Sequence, residues 1–407
     1  MQSSPYMALL HPFRALRPVP EKAHEVACVP YDVINSDEAR DLADGKPLSF
    51  LHVIRPEIDL DPGLDEHDDI VYARGAENLR TYRHSPFSVQ DAEPCVYVYR
   101  LVMDGRAQTG VFACVSVADY DSDVILKHEL TRPVKEDDRT RHILEQSAHA
   151  EPVMLTFRDN DAVAVNMEQT MQDAPLYDLT SDDGVRHTVW KANNPGAFVA
   201  AFEGVDHLYV ADGHHRCKAA SRAAAEVGGP TDSEVRFFPA VLFPMSCMAI
   251  LPYNRIIRKL PGGPKAFFEA LSESFELRPH ASPVPTRKGD VSLLLGSTWY
   301  GLTLPETSGS SVADTLDVGR LTEAILEPML GITDPRRDAN IDFVGGIRGT
   351  GELERLVASG RAELAISMYP TSIEELVDVS DAGLLMPPKS TWFEPKLRSG
   401  FLVHLFD

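Results

Sequence analysis

The chain has 407 residues, of which 43% are hydrophobic and 25% charged, and its formal net charge is −22. That balance excludes a disordered chain and a disulfide-stapled miniprotein, and the length allows two or three domains or one large elaborated one. No apolar run approaches the ~20 residues that span a bilayer, and the acidic excess would repel a nucleic-acid backbone unless the basic residues gather in one cleft.

Cys28, Cys95, Cys114, Cys217 and Cys247 are widely spaced with no CxxC pair, so they read as buried thiols rather than a zinc or redox site. Pro12 and Arg14 interrupt the apolar stretch that a signal peptide would need, so a cytoplasmic location is expected.

Residues 95–118 contain two β-rich runs around Asp104-Gly105, a dipeptide that supplies the positive φ of a tight hairpin. Pro133, which suits a first helical turn, opens an amphipathic stretch to about residue 148 and leaves Glu129 on the loop ahead of it. Residues 207–211 read as a buried strand, Asp212-Gly213 as a turn and 214–226 as an alanine-rich helix. Further strands are expected over 236–245 and 247–253. The Pro/Gly-rich segments 260–264 and 282–290 then suggest a boundary near residue 258. A hairpin over 290–304, helices near 317–330 and 372–380, and a polar loop over 387–400 complete the reading. Hairpins mixed with helices, without regular βαβ alternation, point to an α+β fold. The expected organisation is an N-terminal elaboration (1–94), a catalytic core (95–258) and a C-terminal α+β region (259–407).

Three segments carry candidate chemistry. In ADGHHR (211–216), Gly213 lets a ligand approach the backbone, and the helix start behind it favours an anion, which His214, His215 and Arg216 are placed to grip. Capping alone is the plainer alternative. KHELTRPVKEDDR (127–139) packs Lys127, Arg132, Lys135 and Arg139 among acids. It reads either as a solvated helix face or as the wall of a polyanion site in which Glu129 acts as a general base. The loop PPKSTWFEPKLRSG (387–400) adds Lys389, Ser390, Lys396 and Arg398, again either at such a site or on the surface. No Walker-type loop, dinucleotide fingerprint, nucleophile elbow or HExxH helix is present.

Together with PFRALRP (12–18), PYDVI (30–34) and ILPYNR (250–255), these segments resemble, over nearly the whole chain, a conserved bacterial family catalogued as being of unknown function. Residues 95–258 resemble the ParB/sulfiredoxin-like fold, in which a strand, a GxxR-type turn and a helix bind nucleotide phosphates; Gly213 and Arg216 occupy those positions. On that fold the chain is similar to free-serine kinases. The resemblance implies a Mg2+-dependent phosphotransferase that makes O-phospho-L-serine from L-serine, with pyrophosphate slightly favoured over ADP or ATP as donor. His128-Glu129-Leu130-Thr131 is similar to the kinases' HEET-like segment, which implies Glu129 as the base. Asp212 would orient the hydroxyl or a magnesium ion, while Gly213, His214, His215 and Arg216 hold the transferring group. Lys127, His128, Thr131, Arg132, Lys135 and Arg139, with Lys389, Ser390, Lys396 and Arg398 from the tail, would surround the donor; the metal ligands stay open. The rivals are a non-catalytic nucleotide-binding regulatory module, disfavoured by the lack of a basic helix-turn-helix, and a phosphatase or phosphotransferase acting on another small hydroxyl compound. The expected partners are small molecules, without membrane or nucleic acid.

Overall fold

The computed structural model describes residues 7–307, 309 and 311–407. These form two compact units: the described residues up to Met248 together with Pro395–Asp407, and Ala249–Glu394. Segments 1–94 and 95–248 therefore share one unit, the change of unit falls at Met248/Ala249, and the chain's last residues return to the first unit. The fold is α+β, as expected from the sequence.

The first unit is built on a mixed sheet of β1 (Leu10–His11), β2 (Tyr97–Met103), β3 (Arg106–Ser116), β4 (Ile125–Leu126), β5 (Val153–Phe157), β6 (Tyr177–Thr180), β7 (Arg186–Lys191), β8 (Leu208–Asp212) and β9 (Phe237–Pro244). Its order is β4-β8-β5-β9-β3-β2-β7-β6, with β1 beside β3. The β2–β3 hairpin turns at Asp104 (φ 52) and Gly105 (φ 79), the two positive angles that a tight hairpin turn requires. Two pairings, β8 with β4 and β9 with β5, are parallel and the rest antiparallel.

Helix α1 (Pro133–Gln146) starts on Pro133, as the sequence predicts, and ends at Ser147 in the left-handed conformation. Helix α2 (His214–Val227) follows β8 directly. Ile143 of α1 packs on Ala219 and Ala223 of α2, where small side chains one turn apart let the two helices approach closely. On its other side α2 sends Cys217, Ala220 and Ala224 into the sheet's core with Val210, Leu155 and Leu242. The C-terminal segment is tied in by backbone bridges Leu16–Val403 and Cys28–Ser399 and by the pairing of His404–Leu405 with Ala148–His149.

In the second unit, β10 (Tyr253–Ile257), β11 (Arg278–Pro279), β12 (Asp290–Leu295), β13 (Thr298–Thr303), β14 (Ile341–Gly345) and β15 (Leu364–Met368) form an antiparallel sheet of order β11-β13-β12-β15-β10-β14. The single strand expected over 247–253 is instead Ile250–Leu251 and the start of β10, separated at Pro252, which has no N–H to give to a ladder.

Gly110 sits in the middle of β3, where a Cβ would stand 2.6 Å from both the Leu242 carbonyl and Phe243 Cδ1. Gly110→Ala should therefore cost about 1–3 kcal/mol through overpacking, seen as a lower urea midpoint at unchanged slope. An unchanged midpoint would mean that β9 shifts without cost.

Candidate active site

The site begins with an irregularity. Val210 pairs with Leu155 but Asp212 pairs with Met154, so β8 carries a bulge at Ala211, which re-aims the residue that follows it. Gly213 then turns the chain with φ 101 and ψ 29. A Cβ there would also lie 3.1 Å from Arg216 Nε and 3.1 Å from Val153 Cγ1, so conformation and space both require glycine. The Cys217 N–H closes the first helical hydrogen bond onto the Gly213 carbonyl at 3.0 Å. The N–H groups of His214, His215 and Arg216 precede it and have no intrahelical acceptor, and the helix dipole adds positive potential at the same point.

Alternating charges surround this turn. Lys396 Nζ donates to Asp212 Oδ2 at 3.0 Å, and Arg216 lies 3.9 Å from Oδ1. Burial alone would raise the Asp212 carboxyl, but Lys396 and then Arg216 outweigh it and hold the group well below the ordinary range, at about 2. Arg216 is buried, donates to the Pro152 carbonyl and keeps a buried Nε with no acceptor. Burial works against its charge, yet Asp32, Asp212 and Glu151 raise its pKa overall. Glu151 accepts from the Tyr31 N–H and the Ser399 hydroxyl, both at 3.2 Å, and lies 3.6 Å from Arg139. Burial pushes its carboxyl up, with Arg216 and Arg139 opposing. Arg139 also donates to Asp138 at 2.9 Å and stacks 4.0 Å over the Tyr31 ring. A cavity of about 40 Å³, room for a water or two, lies among Arg139, His142, Glu151 and Arg216.

On the other side of the turn, residues 127–132 form a loop, as expected for Glu129. His128 is buried edge-on to His214, ring centroids 4.4 Å apart. Burial lowers the His128 imidazole to about 4, with the Val210 backbone and Asp212 opposing only in part. Glu129 stands with these two rings: one nitrogen or oxygen from each of the three residues lies within 4.8 Å of the others. The Arg132 N–H donates to His215 Nε2 at 3.0 Å, fixing the loop to the first turn of α2. Thr131 donates to Glu136 at 2.5 Å, tying the loop to the start of α1. Lys135 is half-buried, and His215 is lowered chiefly by burial, with Arg132 and then Lys135 adding to it.

The structure thus brings Glu129, His128, Arg132, Asp212, Gly213, His214, His215, Arg216 and Lys396 to one strand–helix junction. It gives other partners to Lys127, which bonds Asp123 at 2.6 Å and lies over the Tyr120 ring, and to Arg398. Arg398 donates to Asp183 and lines a separate cavity of about 450 Å³ with Cys28, Leu48 and Leu179. Each of these cations is held by a nearby carboxylate. Lys389 and Ser390 belong to the second unit, Lys389 lying 5.1 Å from the Tyr253 ring centroid and Ser390 donating to the Pro387 carbonyl. Tyr31, Asp32 and Glu151 were missed as site residues. PYDVI (30–34) held the signal for the first two, an acid beside an aromatic in a segment already noted; Glu151, one carboxylate before a proline, gave none.

The family described as "Protein of unknown function (DUF1015)" matches residues 10–319. Comparison with curated proteins finds no match. Among solved structures, a free serine kinase in complex with AMP is 12% identical over 72% of this chain and 91% of its own, with TM-score 0.36. SbnI with C-terminal truncation, from Staphylococcus aureus, is 12% identical over 72% and 87%, with TM-score 0.39. A conserved hypothetical protein from Pyrococcus furiosus is 12% identical over 71% and 95%, with TM-score 0.34. Likeness at this level assigns no function.

The Asp212–Lys396 pair makes a pH-dependent prediction. Because the folded-state value is lowered, the stabilisation is complete above the ordinary value of 3.8 and is lost as pH falls towards 2. Breaking a buried pair costs about 3–5 kcal/mol, discounted here to roughly 1–3 kcal/mol because part of Asp212 meets solvent. Lys396→Met should lose that much at pH 7 in denaturant titrations, and the deficit should shrink between pH 4 and 2. A deficit constant with pH would show that Lys396 acts through packing alone.

Proposed function

We propose that this chain, which belongs to the DUF1015 family of proteins of unknown function, is a phosphotransferase that moves a phosphoryl group from a polyphosphate donor to the hydroxyl of free L-serine. The observation that carries this reading is the left-handed turn at Gly213, which sets a helix N-terminus beside Arg216, Lys396 and the Glu129 carboxylate. Serine as acceptor, and pyrophosphate ahead of ADP or ATP as donor, come from the likeness of segments 127–139 and 211–216 to free-serine kinases, and with it the reading of residues 95–258 as a ParB/sulfiredoxin-like core.

In this mechanism the N–H groups of His214, His215 and Arg216 hold the transferring phosphoryl oxygens, where fixed positive charge stabilises the transition state. Lys396 leaves Asp212 for the donor as the donor's negative charge arrives. The serine oxygen attacks phosphorus, Glu129 takes the hydroxyl proton, and the bond to the leaving phosphate breaks. A magnesium ion fits Asp212, an ionised carboxylate that can join the donor's own oxygens in the all-oxygen shell this ion takes. Bound there, it would neutralise charge on the donor; the nitrogens of His128 and His214 do not suit it.

Incubation with Mg2+, L-serine and each of pyrophosphate, ADP and ATP should yield O-phospho-L-serine with at least one donor, pyrophosphate first. No phosphoserine with any of the three would contradict the reading. Glu129→Gln keeps shape but removes the proton acceptor, so turnover should fall by about 10²–10⁴ while donor binding, measured by calorimetry, persists. A near wild-type rate would move the base to Asp212.

A further inference from the structure

Two buried histidines beside a carboxylate are left over once the phosphate seat is described. Nε2 of His214 is buried without a hydrogen-bond partner, and the His128 ring against it is met only by the Val210 backbone, in side chains 7% and 2% exposed. A buried polar atom left unpaired costs about 1–3 kcal/mol, and unmet nitrogens on two touching rings call for a shared occupant. Glu129 completes the set, and among the described residues these three form the one group of histidine, cysteine or acidic side chains with donor atoms mutually within 4.8 Å.

Two imidazoles and one carboxylate suit a borderline divalent ion such as Zn2+, and they are a poor match for Mg2+, which demands oxygen ligands. Zinc ligands at roughly 2.0–2.2 Å from the ion stand about 3.4 Å apart in a tetrahedron. Closure from the present spacing therefore needs shifts of about an ångström. His214 is fixed at the start of α2, whereas His128 and Glu129 lie on the 127–132 loop, so the loop supplies the movement. Three protein ligands leave a fourth position open.

We propose that His128, Glu129 and His214 bind one zinc-type divalent cation, and that its binding withdraws Glu129 from proton transfer and so inhibits phosphoryl transfer. The binding half stands on the donor set alone; the inhibitory half rests on the kinase reading.

Metal-stripped protein, dialysed against Zn2+ without substrates, should take up one ion per chain. Co2+ in its place should give visible d–d absorption without a thiolate charge-transfer band. Outer-shell changes already cost about 10–100-fold in metal affinity, so H128N and H214N should each cost more than about 100-fold, while H24N on the exposed surface costs nothing. Should either buried variant fail to fold by circular dichroism, E129Q, on the loop, carries the test through its own loss of affinity. No stoichiometric uptake, a thiolate band, or wild-type affinity in folded H214N and E129Q would overturn the site. Where phosphoserine is formed, one equivalent of Zn2+ in millimolar Mg2+ should suppress it and a chelator should restore it. Stoichiometric uptake at these residues with turnover unchanged would overturn the inhibitory half, and absence of any kinase activity would leave the dialysis result to decide the binding half.

Discussion

An ionised carboxylate at the end of a buried strand needs cationic partners, and Asp212 finds two, Lys396 at 3.0 Å and Arg216 at 3.9 Å. Arg216 in turn lies among Asp32 and Glu151, and Glu151 is shared with Arg139, which is held by Asp138. Taking such charges out of water is expensive, so the chain of opposite charges is stable only if each member keeps its neighbour. This dependence ties distant parts of the sequence together: Asp32 on the loop at Tyr31, Asp138 and Arg139 in the middle of α1, Glu151 after it, Asp212 and Arg216 about the turn at Gly213, and Lys396 in the C-terminal segment. In the proposed phosphotransferase it also prepares the site for an anion. A phosphate arriving at the helix start offers Arg216 and Lys396 a partner that replaces the carboxylates, so binding exchanges one set of ion pairs for another rather than creating cations in isolation.

The net charge of −22 bears on which anions reach that point. A field of that sign gives no long-range attraction to a polyanion, so selection falls to short-range groups at the end of β8. A small donor that fits among backbone N–H groups and two or three side chains meets that condition better than an extended nucleic-acid backbone does.

Much of this architecture is legible in the sequence where a local rule decides the structure. Asp104-Gly105 forces its hairpin through two positive φ angles, Pro133 opens α1, and the succession of strand, Asp212-Gly213 and alanine-rich helix appears where expected. The partner of Lys127 was also local, since Asp123 lies four residues before it. Long-range pairing was not legible. Lys396 and Arg398 are two residues apart in one loop, yet one meets Asp212 and the other Asp183, because the return of the C-terminal segment to Leu16, Cys28 and His149 sets their directions. Nothing local distinguishes them. Glu151 was invisible for the same reason, and nothing local told that His128, expected around the phosphoryl donor, is buried edge-on to His214.

The central claim is that the first turn of α2 seats the phosphoryl group, and a crystal structure with pyrophosphate tests it most directly. The account predicts phosphate oxygens hydrogen-bonded to the N–H groups of His214 to Arg216, with Lys396 moved from Asp212 onto the ligand. Pyrophosphate bound away from Gly213, or bound there with Lys396 still on Asp212 and Arg216 still on Pro152, would contradict it.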